Sequence, residues 1–138
     1  MTSRITNTMM AALAAALIAS TALPDPASAG GSVSFSHTPS SDRSVRALRA
    51  GLQFYSLYKG LKNGANIRQR GWNNAAGIAQ YGSGNQGIIR QKGSGHSATL
   101  RQTGKENAYG IFQFGKNTSA NVSQYGNGQA GTTFQFGW

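Results

Sequence analysis

Between Ala65 and Gly137 a glutamine recurs at one spacing, every eleven residues: Gln69, Gln80, Gln91, Gln102, Gln113, Gln124 and Gln135. A glycine stands two residues after each, at Gly71, Gly82, Gly93, Gly104, Gly115, Gly126 and Gly137. Two residues before each stands Ile67, Ile78, Ile89, Leu100, Ile111, Val122 or Thr133, and four before it a mostly small residue, from Ala65 and Ala76 to Ala120 and Gly131. No insertion breaks the register. A short fixed period of this kind specifies a repeat architecture.

The unit alternates, small-x-Ile-x-Gln-x-Gly, which is the period of a strand. The Gly-, Asn- and Ser-rich residues between units turn the chain. Each unit is therefore a strand of roughly 20 Å and a tight turn. So short and polar a strand buries its face only by stacking on its neighbours. The residues flanking the glutamines point the other way. Arg68 and Arg70 recur as Arg90 and Lys92, and Phe112 and Phe114 recur as Phe134 and Phe136, in each case after 22 residues. The expected fold is thus all-β, a β-solenoid of two-strand coils, with alternate units on opposite sheets and an amyloid cross-β stack on assembly. One outer face carries a basic ladder (Arg68, Arg70, Arg90, Lys92) that runs into an aromatic ladder (Phe112, Phe114, Phe134, Phe136). Inward glutamines one rung apart, about 4.8 Å, can bond amide to amide in a continuous ladder. Asn63, Asn74, Asn85 and Asn107, five residues after the glutamine places, are expected to form a second ladder at the turns.

In chain order, residues 1–29 have the pattern of a secretory leader. Arg4 precedes an apolar stretch from Met9 to Leu23, and Ala27-Ser28-Ala29 has the form of a cleavage site. Residues 30–51 are expected to form a disordered arm or a short helix, capped by Ser41 or Asp42 and stopped at Gly51. The solenoid is placed at 52–138. Its first strand, Phe54 to Lys59, is a degenerate one, because Tyr58 and Gly60 lie one period before Gln69 and Gly71. The last strand ends at Phe136 with only Gly137 and Trp138 beyond, so its edge is expected to be uncovered and able to template pairing.

The stretch Gln69-x-Gly71-x2-Asn74-x-Ala76-x3-Gln80 resembles the repeat of the curlin subunits of bacterial curli fibres, S-x5-Q-x-G-x2-N-x-A-x3-Q. Gln80 to Gln91 matches with Gly87 in the alanine place, and Gln102 to Gln113 with Tyr109 there. The chain departs from the family pattern at the leading serine, where Asn63, Asn85, Asn107 or Gln129 stands, and at His96 and Thr118, which replace asparagine. The resemblance implies a secreted structural subunit of an extracellular fibre, a fimbrium of biofilm matrix and adhesion. It implies as partners the chain itself, a second curlin subunit and an outer-membrane secretion machinery. The basic balance, 13 Lys and Arg against 3 Asp and Glu, suggests a minor or nucleating subunit.

Other chemistries find little support. Gly82-Ser-Gly84-Asn-Gln-Gly87 satisfies G-x-G-x-x-G but lacks the following helix and acidic residue of a dinucleotide site. No cysteine is present, His37 and His96 are isolated, and beyond the leader only Asp42 and Glu106 are acidic. No metal, cofactor or catalytic constellation is expected, and the chain reads as a non-enzyme. The net charge of +10 allows attraction to an anionic surface, a polysaccharide or extracellular DNA. The alternative reading is a monomeric secreted β-solenoid that binds such an anionic polymer.

Overall fold

The computed structural model describes residues 31–58, 60 and 64–138. The leader, Lys59 and Asn63 lie outside the described residues. The elements run β1 (Ser32–His37), α1 (Asp42–Tyr58), β2 (Ala65–Arg70), β3 (Ala75–Tyr81), β4 (Gln86–Ser94), β5 (Ser97–Thr103), β6 (Ala108–Lys116), β7 (Ser119–Tyr125) and β8 (Ala130–Gly137).

The seven repeat strands divide by parity between two sheets. One has the order β1-β8-β6-β4-β2, the other β3-β5-β7. Within each sheet the repeat strands are parallel, and every residue opposes its counterpart 22 positions away: Gln69 faces Gln91, Ile89 faces Ile111, Gln102 faces Gln124. This is a β-solenoid of about three turns. A one-residue slip would turn every isoleucine and glutamine of the Ile67 and Gln69 places to the outside, so the alternation itself holds the register.

Between the sheets lies a thin core of Ile89, Ala98, Leu100, Tyr109 and Ile111, with Ile78 and Val122 packed against it. Tyr109 occupies a place that otherwise holds a small residue. Room for it comes from Gly131 one rung on, where a Cβ would lie 2.3 Å from the tyrosine ring. Its hydroxyl is bonded to Thr133 Oγ1 at 2.9 Å.

The N-terminal third departs from expectation twice. Helix α1 does not stop at Gly51 but continues to Tyr58, so Phe54 to Tyr58 is helix rather than a first strand. The eleven-residue offset is outweighed there by helical spacing, which puts Leu48, Leu52, Tyr55 and Ser56 on one face. Leu52 joins Ile88, Ala108, Phe112 and Phe134 in a second apolar cluster on the outer face of the larger sheet, with Leu48, Tyr55 and Phe114 against it. Phe54 and Leu57, on the opposite side of the helix, are 59% and 74% exposed. The helix starts at Ser41, whose Oγ accepts from Ser44 N at 3.4 Å and whose carbonyl accepts from Val45 N at 2.9 Å.

The second departure is β1. Residues 32–37 are neither disordered nor part of an arm standing clear of the solenoid. They form a strand antiparallel to β8, from Ser32 opposite Gly137 to His37 opposite Thr132. The edge of β8, expected to be open, is covered.

Candidate functional site: the ends of the solenoid

The side chains that hold the stack together are the glutamines. In the larger sheet Gln69 Nε2 donates to Gln91 Oε1 at 2.8 Å, Gln91 to Gln113 at 2.8 Å, and Gln113 to Gln135 at 2.7 Å. In the smaller sheet Gln80 donates to Gln102 and Gln102 to Gln124, both at 2.7 Å. Every link has the same polarity, so each column has an acceptor end toward β2 or β3 and a donor end toward β8 or β7.

The second amide hydrogen crosses the core, a use that sequence reading missed. Gln91 donates to Ala75 O at 2.8 Å, Gln113 to Ser97 O at 2.8 Å, Gln135 to Ser119 O at 2.7 Å and Gln102 to Gln86 O at 3.1 Å. Each of these four glutamines therefore ties its own sheet vertically and the opposite strand horizontally. Gln91, Gln102 and Gln113 are almost fully buried, where unpaired amides would be costly.

The turn glycines have two reasons to be glycine. Gly93 and Gly104 adopt φ of +131° and +123°, a region L side chains rarely enter. A Cβ on either would also lie 1.8 Å from the carbonyl oxygen of the glycine one coil on, Gly115 or Gly126. Gly71, Gly82 and Gly115 stack in the same manner, whereas a Cβ on Gly137 would meet Lys116 O. Gly126 is the exception: it lies at the last turn of the smaller sheet, and its nearest neighbour would be Gln129 Nε2 at 3.2 Å.

The described turn asparagines link successive rungs through the backbone rather than amide to amide. Their side chains clamp backbone. Asn85 donates to Gly104 O at 3.0 Å and accepts from Asn107 N at 3.0 Å; Asn107 donates to Gly126 O at 2.8 Å and accepts from Gln129 N at 3.0 Å. Asn74 makes the same pair of bonds, to Gly93 O and from His96 N. The turn backbone supplies the partners because each turn steps one rung along the stack. His96 replaces asparagine with a ring whose Nδ1 is bonded to Thr118 Oγ1 at 2.8 Å and also accepts from Thr118 N at 3.4 Å, with Nε2 placed 3.3 Å from Lys92 O. A second positive-φ place, four residues after each glutamine, also escaped sequence reading. It holds Asn73, Gly84, Gly95, Glu106, Asn117 and Gly128. The run of Gly and Asn at eleven-residue spacing was its signal.

The outer ladders differ from one another. Arg68 faces Arg90 and Arg70 faces Lys92; Arg68, Arg70 and Lys92 are exposed, and Arg90 donates to Tyr55 Oη at 2.8 Å. The aromatic ladder is stacked, Phe112 on Phe134 at 4.9 Å and Phe114 on Phe136 at 5.3 Å. It is not an outer surface throughout, however: α1 covers Phe112 and Phe134, which are each 4% exposed. Sequence alternation assigns a side chain to a face and cannot see a helix laid over that face.

The two ends of the stack are unlike. At the β2 end the inward residues Ala65, Ile67 and Gln69 are exposed, while the same places one coil on, Gly87, Ile89 and Gln91, are buried. At the β8 end β1 lies over the edge, and Gln135 Nε2 reaches Ser34 Oγ at 3.3 Å. Among the described residues no group of three or more His, Cys, Asp and Glu could hold a metal ion, and no helix is long and apolar enough to cross a membrane.

The family model of the curlin associated repeat matches three times, over residues 62–93, 73–104 and 97–126. The chain belongs to the curlin-repeat family. The matched span holds β2 to β7, with their glutamine columns and stacked turn glycines. Curlin repeats on a β-solenoid indicate a structural protein, a curli-type subunit. Neither a search of curated proteins nor one of solved structures finds a match. The segment that caps this curlin solenoid, β1 with α1, lies outside the matched repeats.

Proposed function

We infer that the protein is a subunit of an extracellular curli-type amyloid fibre, secreted by way of its leader and assembled head to tail for biofilm matrix and adhesion. The observation that carries this is the β2 end. Ile67 is 45% exposed although Ile89 and Ile111, in register with it, are 0% exposed. A folded chain that leaves one rung of its core uncovered suits a further rung from another molecule. Such stacking is heterologous and does not close, so it builds a filament. The outer ladder supports the same direction. Within the chain Arg90 is followed by Phe112 and Lys92 by Phe114. A head-to-tail seam would set Arg68 and Arg70 of one copy beside Phe134 and Phe136 of another, so the like-charge block is bounded by aromatic rungs on both sides.

One end open and the other closed also fits a minor or nucleating role, in which the β2–β3 end receives a second curlin subunit. The aromatic C-terminal coil is not the exposed template that its sequence suggests, because β1 and α1 cover it. The exposed Arg68, Arg70 and Lys92 supply attraction to an anionic surface or polymer. They also favour a second reading, a capped monomer that binds such a polymer through this face. Fibre diffraction separates the two. The proposed filament gives a meridional reflection at about 4.7–4.8 Å and an equatorial one at about 10 Å; a protein that stays monomeric at high concentration rejects it.

A further inference from the structure

The antiparallel strand β1 is a poor copy of what the edge of β8 is built to receive. The strands β4, β6 and β8 each pair in parallel with the preceding strand of their column, bringing Ile or Thr and then Gln to the inward places. Strand β1 runs the other way and brings Ser36 opposite Thr133 and Ser34 opposite Gln135. The bond from Gln135 Nε2 to Ser34 Oγ is 3.3 Å, against 2.7–2.8 Å along the glutamine column. Little else holds the strand. Ser32, Ser34, Ser36 and His37 are exposed, and Val33 and Phe35 only half-buried. Its remaining ties are the backbone ladder, the apolar pairs Val33 opposite Phe136 and Phe35 opposite Phe134, the Ser36 Oγ to Thr133 Oγ1 bond at 2.9 Å, and the Gly31–Trp138 pair of backbone bonds at 3.2 and 2.9 Å. It covers β8 alone, since the smaller sheet ends at β7.

We propose that β1 is a displaceable cap, which holds the β8 edge closed against β2 of a second copy of this chain and sets the rate of head-to-tail growth at that end. The inference rests on the filament reading above. The exchange substitutes a better partner for a worse one. Strand β2 of the incoming copy would add Ile67 over Thr133 and Gln69 over Gln135. The larger sheet has four repeat strands and the smaller three, so the seam is made by the larger sheet and one strand place over β7 stays open. Gln135, the donor end of its column, would then meet Gln69, the acceptor end. The exposed β2 edge and the covered β8 edge are thus two halves of one interface. Because β1 is tethered, its local concentration is fixed, whereas that of the second copy rises with protein concentration. Dilute chains stay capped and concentrated chains exchange. Growth at this end scales with the fraction of chains whose β1 is released.

The test is a reversible lock. Ser36 and Thr133 form directly opposed side chains of an antiparallel pair. Their alternation from the hydrogen-bonded Gly31–Trp138 pair makes them a close, non-hydrogen-bonded pair, about 4.5 Å apart at Cα and within disulfide reach. The chain has no other cysteine. In the double variant Ser36→Cys/Thr133→Cys, oxidation should slow seeded elongation by about 10-fold or more relative to the same protein reduced, if the released state is normally a few per cent populated. Val33→Pro removes a ladder N–H and should shorten the lag below that of the unaltered protein. Equal growth of oxidised and reduced protein, or an unshortened lag with Val33→Pro, overturns the cap and leaves the filament intact. If the unaltered and the reduced proteins both form no filaments, the filament reading fails and the cap falls with it.

Discussion

Gln91 Nε2 donates to Gln113 Oε1 at 2.8 Å, across one rung of the larger sheet, and to Ala75 O at 2.8 Å, across the core. Two bonds from one amide thus join the stack in two directions. The same side chain serves fold and assembly, because a filament continues the column that the monomer begins.

Gln113→Lys should destabilise the monomer by about 3–5 kcal/mol, the cost of a buried charge without a partner. Gln113→Leu removes the links to Gln135, Gln91 and Ser97 O and should cost about 2–4 kcal/mol, chiefly through the groups left unpaired. Ser123→Lys, exposed beside Arg101, should cost under about 1 kcal/mol. Urea denaturation of the three variants checks the ranking, and equal losses would mean that the faces are misassigned.

Gly104→Ala and Gly126→Ala should separate coil overlap from backbone strain. A Cβ at Gly104 overlaps Gly126 O within the chain, so the variant should lose about 3 kcal/mol or more. Gly126 has a similar φ, +118°, but no following coil. Its alanine variant should pay only the backbone strain, about 1–3 kcal/mol. Urea denaturation of the two compares them, and a loss at Gly126 as large as at Gly104 would mean that the overlap between coils contributes nothing.

Leu52→Ala should cost about 2–5 kcal/mol, because Leu52 is 3% exposed against Ile88, Phe112 and Phe134. Phe54→Ala should be nearly neutral. An inward Phe54 on a first strand would give the reverse order, so thermal melts of the pair decide between helix and strand.

His96→Asn should be tolerated within about 1 kcal/mol, since asparagine at the matching places accepts from the turn N–H one coil on, as Asn85 does from Asn107. His96→Leu removes the ring partner of Thr118 Oγ1 and Thr118 N and should cost about 1–3 kcal/mol. Chemical denaturation distinguishes them.

Glu106→Gly should be neutral or stabilising by up to about 1 kcal/mol. Glu106 holds φ of +57° where Gly84, Gly95 and Gly128 stand at the matching turns, and glycine adopts this conformation without a Cβ penalty. The lost ion pair with Arg49, 3.6 Å long with Glu106 68% exposed, is worth little. A fall in melting temperature beyond a few degrees would contradict this.

The repeat was legible in the sequence down to which side chains face inward. Alternation assigns faces locally, and seven copies at one period leave a single register in which every Ile67-type and Gln69-type place is internal. The glycine turns followed for the same reason, although their second cause, the Cβ overlap between Gly93 and Gly115, exists only once coils are stacked. The asparagines were placed at the turns but not assigned to backbone partners, since Asn85 and Asn107 N become neighbours only through the coil. The N-terminal third was not legible in this way, because β1 and α1 occur once and no repeat fixes their partners. Leu52 is buried by Phe112 and Phe134, and Ser34 is set against Gln135, through contacts far apart along the chain. Periodicity thus determined a stack with two ends; only the tertiary fold decided that β1 closes one of them, because closure depends on a single strand finding an unpaired edge of complementary length.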